Sequence, residues 1–245
     1  MAIRLQPGWP ARRPEIRWGL REAFLCLLVA QLFSPFWAAG VFGLAGQSLD
    51  EDPTSMVLFI GANVGLWLAY VLGSIVISRR LGRGPRTDFD VGIMGSWEAA
   101  EAVMTGIMLQ LIALPVLYSL IGLFVDVDPG ESARMIVDLV DSPLDVVLLT
   151  LAVVLVAPVV EEVFYRGVFL PALTAATGPL VGVVGSALIF ALVHQQLVVI
   201  PGLTLFGLVV AWQTATKGRV GPAIVTHMAF NATTVVQLLL TSPNL

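Results

Sequence analysis

Long apolar runs separated by short charged segments dominate this sequence. The runs cover about 23–45, 54–77, 102–125, 144–172, 179–196, 200–215 and 222–240. Only 12% of the residues are charged, whereas soluble domains carry about 25%. Runs of about 20 apolar residues are long enough to cross the hydrocarbon core of a bilayer as helices. We therefore predict an all-α fold, a polytopic transmembrane helical bundle of about seven spans.

The charges between the runs predict the orientation of this bundle. With the N-terminus in the cytoplasm, all but two of the 13 Lys and Arg residues fall on the inner side, in the segments 1–22, 78–98 and 216–221. The acidic segments 50–52 and 126–145 then fall outside, where 131–140 is predicted to form a short interfacial helix. Only Arg134 breaks the positive-inside rule, and Arg166 lies within a span. We predict a multi-pass protein of the plasma membrane with a cytoplasmic N-terminus.

The fourth run contains the residues that are most costly at membrane depth, namely Glu161, Glu162 and Arg166. Glu162 and Arg166 are four residues apart with the acid first, the favourable order for an ion pair along a helix. Glu161 is rotated by about 100° from Glu162, so it can face another helix. We predict that Glu162 and Arg166 support the site and that Glu161 reacts. Tyr165 shares a helix face with Glu161, and packing explains it at least as well as a place in the cavity.

Both histidines of the chain lie within predicted spans, His194 in the fifth and His227 in the seventh. Asn231 follows His227 by four residues, so the two side chains share a helix face. A carboxylate beside an imidazole can deprotonate a water, and a second imidazole with an amide can stabilise an oxyanion. Alternatively, Glu161, His194 and His227 are the three protein ligands of a catalytic divalent metal such as Zn²⁺. The sequence has no HExxH motif, which excludes an ordinary zincin. Either scheme hydrolyses an amide bond.

The depth of the two histidines predicts an irregularity in the bundle. Counted from Pro179, His194 lies about 22 Å along its helix, whereas His227 lies about 9 Å from Pro222. Either a later start of the fifth span, with 174–182 as a loop, or a strong tilt of the helices would bring both to Glu161, and the glycines of this segment favour the later start. The sixth run is short and is a candidate for a re-entrant helix or one broken near 201–202. Single polar residues in spans, Gln110 among them, are predicted to form interhelical hydrogen bonds.

Three patterns occur in order on separate apolar runs: Glu161-Glu162-x-x-x-Arg166, Phe190-x-x-x-His194 and His227-x-x-x-Asn231. Together they resemble the motifs of the CAAX protease and bacteriocin-processing family (CPBP, or Abi), which includes the type II CAAX prenyl endopeptidases. The resemblance covers about 144–240. It divides the chain into a basic cytoplasmic tail (1–22), N-terminal spans and loops (23–143) and a catalytic core (144–240).

This resemblance implies a polar active-site cavity inside the membrane, conical and open to the bilayer and the cytosol. It implies Glu161 and His194 as the pair that activates water, His227 and Asn231 as oxyanion stabilisers, and Glu162 with Arg166 as support. The expected activity is an intramembrane endopeptidase similar to CAAX prenyl proteases, which acts on a membrane-associated protein or peptide. Whether the chemistry uses a metal stays open at this point.

Two other functions are compatible with the composition. The first is a non-proteolytic membrane factor, such as a bacteriocin-immunity or scaffold protein, that retains the bundle. The second is a proton-coupled transporter with Glu161 and His194 as a relay, but the sequence lacks the inverted repeats of such proteins. The basic residues form no long stripe, so nucleic acid is not expected as a partner. The expected partners are the lipid bilayer and a membrane-associated protein or peptide substrate.

Overall fold

The computed structural model describes residues 17–48, 50, 52–92 and 94–241. Most of the predicted basic tail, residues 1–16, and Glu51 of the acidic loop lie outside these ranges. Within them the chain forms helices and no strand, which confirms the predicted all-α class. The helices are α1 (Leu20–Leu44), α2 (Met56–Leu81), α3 (Pro85–Phe89), α4 (Ser96–Ile121), α5 (Glu131–Val137), α6 (Pro143–Thr177), α7 (Pro179–Leu192), α8 (Ile200–Lys217) and α9 (Gly221–Thr241).

All seven predicted runs are helical, but they differ in reach. Within the described residues, α1, α2, α4, α6 and α9 are long and apolar enough to cross a membrane. The helix α7 has 14 residues and α8 has 18, which correspond to about 21 and 27 Å. The bundle is therefore that of a multi-pass membrane protein with five full-length helices and two shorter ones. α5 confirms the predicted helix in the acidic segment.

The helix α6 has 35 residues and is not regular along its length. Two stretches, Thr150–Val156 and Val163–Phe169, have the wider π-type turns, in which each N–H bonds to the carbonyl five residues earlier. Between them lies Ala157–Glu162, an α-helical segment with Pro158 in its first turn. Because each wide turn adds a residue, the segment that carries both glutamates is rotated relative to a uniform helix.

The predicted later start of the fifth span is wrong, because α7 begins at Pro179 directly after Gly178, whose φ is +88°. The depth problem is solved instead by the hairpin of α6 and α7. Trp18, just before α1, donates its Nε1 proton to the Val168 carbonyl at 3.1 Å, so Val168 lies at the depth where α1 begins. The part of α6 from Val168 to Thr177 extends about 14 Å past that depth. α7 begins at the far end of this extension, and His194 therefore returns to the depth of His227.

The predicted irregularity of the sixth run is also absent. α8 begins at Ile200 with Pro201 in its first turn, a position that proline tolerates, and continues without a break to Lys217. The irregular backbone lies before it, in the turn 193–199 that connects α7 to α8.

The basic segments lie on one face of the bundle, as the predicted topology requires. The backbone N–H of Arg17 donates to the Leu81 carbonyl at 2.8 Å, which joins the start of α1 to the end of α2. Arg219 Nη1 lies 3.3 Å from Glu98 Oε2, which joins the 216–221 loop to the start of α4. We call this side the basic face, and the side that holds α5 the acidic face.

The predicted division at residue 143 does not separate two cores. One hydrophobic cluster contains Trp18 and Tyr70 from the N-terminal part together with Phe164, Phe190 and Phe230 from the C-terminal part. The two parts therefore pack as one bundle.

Helix α4 crosses α9 closely next to His227. A Cβ atom on Gly106 would lie 2.3 Å from the Thr226 carbonyl oxygen, so only glycine fits at this crossing. Thr226 Oγ1 also lies 3.0 Å from the Ala102 carbonyl oxygen and 3.0 Å from Gln213 Oε1, so its one hydroxyl proton has an acceptor on either side. These contacts fix the height and rotation of α9 at the residue before His227.

Candidate active site

One end of the polar cluster is completely buried. Glu162 and Arg166 have no exposed side-chain surface, and Glu162 Oε2 lies 3.2 Å from Arg166 Nε, which confirms the predicted ion pair. Arg166 Nη2 donates to the Gly207 carbonyl at 3.3 Å, and its guanidinium stacks 4.6 Å from the centre of the Phe190 ring. A buried charge pair is tolerated when each charge has an opposite charge beside it, and here Arg166 Nη1 stays without a hydrogen-bond partner among the described residues. We call Glu162, Arg166 and the Nδ1 side of His227 the closed end.

His227 joins the two adjacent glutamates. Its Nδ1 lies 2.9 Å from Glu162 Oε1, and its Nε2 lies 4.0 Å from Glu161 Oε2. Because a carboxylate only accepts, Nδ1 carries a proton that it donates to Glu162. The sequence predicted Arg166 as the partner of Glu162 but did not predict that Glu162 also orients His227.

His194 lies two residues beyond the end of α7 and lines a cavity. Its Nδ1 lies 2.7 Å from the Phe190 carbonyl oxygen and therefore donates to it, which leaves Nε2 of the neutral ring as an acceptor. The next residue, Gln195, has a φ of +57°, a strained conformation for a side chain of this size that turns the chain sharply. Among the described contacts, no hydrogen bond or ion pair joins His194 to Glu161.

The Phe190 ring separates the two imidazoles. Its centre lies 4.9 Å from that of His194 and 6.1 Å from that of His227. Phe206 covers His227 from α8, with ring centres 4.6 Å apart. Apolar rings therefore pack against both imidazoles.

Asn231 is held by the irregular part of α6. Its Nδ2 donates to the Val153 carbonyl at 2.7 Å. In the wide turns each N–H bonds to the carbonyl five residues earlier, as Ala157 N–H does to the Ala152 carbonyl. The Val153 carbonyl would pair in the same way with residue 158, which is a proline and has no N–H. The wide turn and the proline thus free a carbonyl that orients Asn231, whose second amide proton stays available.

Two tyrosines that the sequence did not connect lie beside Glu161. The hydroxyls of Tyr70 and Tyr165 are 2.8 Å apart, and Gln31 Nε2 donates to the Tyr70 hydroxyl at 3.0 Å. Tyr165 follows Glu161 by four residues and so lies near the same face of α6. The shared face of Glu161 and Tyr165 was the only sequence signal, since Gln31 and Tyr70 belong to distant helices.

A cavity of about 610 Å³ begins at His194 and Asn231 and is otherwise lined mainly by apolar side chains. It follows α9 as far as Thr241 and reaches Val137 of α5. It therefore extends toward the acidic face, whereas the resemblance implied a cavity open to the cytosol, on the basic face. Glu161 is not part of the cavity lining. We call His194 and Asn231 the cavity end of the site.

The side chains predicted as metal ligands do not form a ligand set in this conformation. Among the described residues, no group of three or more His, Cys, Asp or Glu side chains could hold a metal ion. The Nδ1 atoms of His194 and His227 are already engaged by the Phe190 carbonyl and by Glu162. These contacts leave Nε2 of each ring as the atom that could bind a metal.

These features define a multi-pass helical membrane protein with a buried cluster of acids and imidazoles at the end of a cavity. Residues 143–233 match the family model described as type II CAAX prenyl endopeptidase Rce1-like. Over these residues the chain is thus similar to the type II CAAX prenyl endopeptidases, which agrees with the resemblance drawn from the three motifs. No curated protein and no solved structure gives a significant match.

Proposed function

We propose that this protein is an intramembrane endopeptidase that hydrolyses a peptide bond of a membrane-associated protein or peptide. The observation that carries the proposal is that one helix, α9, holds a residue at each end of the site, His227 at the closed end and Asn231 at the cavity end. His227 donates to Glu162 at the closed end and has its Nε2 4.0 Å from Glu161 Oε2, and Asn231, one turn later on the same helix, reaches the cavity beside His194. The match to a protease family over the same residues supports this function.

In the proposed reaction, Glu161 and His194 position and activate a water. The water oxygen attacks the carbonyl carbon of the scissile bond while its proton passes to the Glu161 carboxylate. His194 Nε2, which accepts, orients the second water proton. Breakdown of the tetrahedral intermediate then breaks the C–N bond, and the leaving amine takes up the proton held by Glu161.

The negative oxygen of the intermediate receives hydrogen bonds from His227 and Asn231. Because Nδ1 of His227 donates to Glu162, donation from Nε2 requires the imidazolium form, whose charge the two glutamates balance. Asn231 contributes the amide proton that Val153 does not use. Donors held in place before the reaction stabilise the developing charge without reorganisation.

We propose that the scheme operates without a metal, because Glu161, His194 and His227 do not come together as a group that could hold a metal ion among the described residues. The expected result is that cleavage by purified protein persists after treatment with a strong chelator, and that elemental analysis finds no stoichiometric metal. Loss of cleavage on chelation, with recovery on addition of Zn²⁺, would contradict the metal-free scheme.

The proposal is tested by cleavage assays on purified protein in liposomes, with His194→Ala and His227→Ala beside wild type. Candidate substrates are membrane proteins that accumulate uncleaved in cells that carry the His194→Ala variant. Both variants are expected to lose cleavage while they remain folded. A cellular phenotype that persists after alanine replaces Glu161, His194 and His227 together would favour a non-proteolytic membrane factor instead. We also retain the prediction of a plasma-membrane protein with its N-terminus in the cytoplasm.

A further inference from the structure

Two glutamines from different helices meet in the cavity beyond His194 and Asn231. Gln110 Nε2 of α4 lies 3.5 Å from Gln237 Oε1 of α9, at the long limit for a hydrogen bond, and both residues line the cavity. Gln110 Oε1 is buried and has no hydrogen-bond partner among the described residues. An amide oxygen buried in this way costs about 1–3 kcal/mol. The predicted interhelical bond is thus present, but it leaves an acceptor unused inside the cavity.

The position of this pair relative to the site is fixed by α9. Gln237 follows Asn231 by six residues, which is about 9 Å along the helix. An extended peptide covers about 3.3 Å per residue, so this distance corresponds to about three residues. Gln110 lies in a short stretch of wide turns in α4, Leu109–Ala113.

We infer that the cavity binds an extended, apolar segment of the substrate polypeptide and that Gln110 and Gln237 recognise its backbone. Gln110 Oε1 accepts from a backbone N–H, and Gln237 Nε2 donates to a backbone carbonyl, about three residues from the bond that is cut. This deepens the proposed function and rests on it for the position of the cut.

The chemistry of the lining favours a peptide over a hydrocarbon chain. An acyl or isoprenoid chain has neither donors nor acceptors along its length, so it would leave Gln110 Oε1 buried and unpaired. An extended peptide presents both groups, and its apolar side chains fit the remaining lining, which includes Leu114, Leu149 and Leu238. Pockets of this volume with a few placed polar groups are typical of specific ligand sites.

The cavity leads from the site toward the acidic face, and this direction indicates where the bound segment comes from. At the basic face, the N–H groups of Val220 and Gly221 donate to the carbonyls of Phe89 and Asp90, which joins two loops there. The segment is therefore a membrane-embedded part of a substrate rather than a charged tail that reaches in from the basic face.

The test measures binding separately from cleavage, in full-length Glu161→Gln protein. The probes are a dansyl-labelled apolar hexapeptide of Leu, Ala and Val, and a dansyl-labelled fatty acid of similar length. Gln110→Met and Gln237→Met keep the side-chain shape but remove the amide, and each is expected to weaken peptide binding about tenfold, the value of one hydrogen bond. Fatty-acid binding is expected to be unchanged or tighter in both variants.

Asn63→Leu is the matched control, because the Asn63 amide donates only to the Phe59 carbonyl of its own helix. It removes a membrane amide outside the cavity and is expected to leave both affinities unchanged. Peptide affinity that is the same in wild type and in both glutamine variants, with melting temperatures also unchanged, would overturn the inference. If either glutamine variant has a lower melting temperature than wild type, the binding assay is repeated with Gln110→Glu. This variant keeps the acceptor oxygen and is expected to retain peptide binding.

Cleavage assays separate this inference from the proposed function. In a background that cleaves, Gln110→Met is expected to raise KM about tenfold with kcat unchanged, because it removes binding remote from the reacting atoms. Cleavage with an unaltered KM would overturn the peptide site alone. Peptide binding that depends on the glutamines in a protein that cleaves nothing would overturn the proposed function alone.

Discussion

The two ends of the site contain similar residue types in opposite settings. At the closed end, Glu162 and Arg166 have no solvent exposure, and each has charged or backbone partners on more than one helix. At the cavity end, His194 and Asn231 each bond to one backbone carbonyl and keep a second polar group free. Groups that are sealed from solvent and held from more than one helix act as a frame, whereas groups with an unused atom beside a cavity can meet a substrate.

The largest stability effect is expected from Glu162→Ala, which would turn the closed end into an unpaired buried cation. Removal of one partner of a buried ion pair costs about 3–5 kcal/mol, and here it also leaves His227 Nδ1 without its acceptor. The expected result is a lower melting temperature in detergent together with loss of cleavage. Glu98→Ala is the control, because its partly exposed pair with Arg219 is expected to contribute about 0–1 kcal/mol. Equal melting temperatures for the two variants would contradict a structural role for the closed end.

A smaller effect, on rate rather than on stability, is expected from Asn231→Ala at the cavity end. Loss of one oxyanion donor lowers kcat by about 10²–10³-fold, whereas the lost bond to the Val153 carbonyl costs only about 1 kcal/mol of stability. The measurement is kcat beside the melting temperature. Thr233→Val on the same helix removes a hydroxyl that bonds only to the Ala229 carbonyl, so it is the control. Asn231→Ala with an unchanged kcat would remove this residue from the mechanism.

The smallest effect is expected from Tyr165→Phe, which ends the hydroxyl chain from Gln31 and Tyr70 beside Glu161. One hydrogen bond contributes about 0.5–1.5 kcal/mol, so kcat is expected to fall up to about tenfold with KM unchanged. Ser74→Ala is the matched control, because its buried hydroxyl on α2 has no hydrogen-bond partner among the described residues. A rate that is equal in both variants would show that the tyrosines serve packing only.

Features that depend on local spacing were predictable from the sequence. The i, i+4 interval identified the Glu162–Arg166 ion pair, and the same interval placed His227 and Asn231 on one face of α9. Hydropathy identified every helix longer than ten residues, because burial in lipid requires long apolar runs. The distribution of Arg and Lys grouped the loops that the structure joins on the basic face.

Features that depend on how helices stack were not predictable. Gly182 suggested a helix break, but it is the residue that lets α7 pack closely on α6, since a Cβ there would lie 2.4 Å from Thr174 Oγ1. The second partner of Glu162 and the position of Tyr70 depend on rotations that the wide turns of α6 set. A one-residue shift between α- and π-type turns leaves no clear trace in an apolar sequence.

The N-terminal helices contribute to the site although residues 1–142 lie outside the family match. α2 carries Tyr70 beside Glu161, and α4 carries Gly106 at the crossing that positions His227. Gln110 of α4 extends the cavity wall toward the acidic face. Differences at Gln110 among related chains are therefore expected to alter substrate choice, whereas differences at Tyr70 or Gly106 are expected to alter the rate of the reaction.

The central claim is that Glu161 reacts while Glu162 supports, and the most direct measurement compares Glu161→Gln with wild type. Purified proteins in liposomes are assayed for cleavage of an uncleaved membrane protein recovered from His194→Ala cells, and their melting temperatures are recorded. The account predicts an unchanged melting temperature and a rate reduced by at least about 10²-fold for Glu161→Gln, since a general base is lost without loss of a buried ion pair. Cleavage at the wild-type rate by this variant would contradict the account.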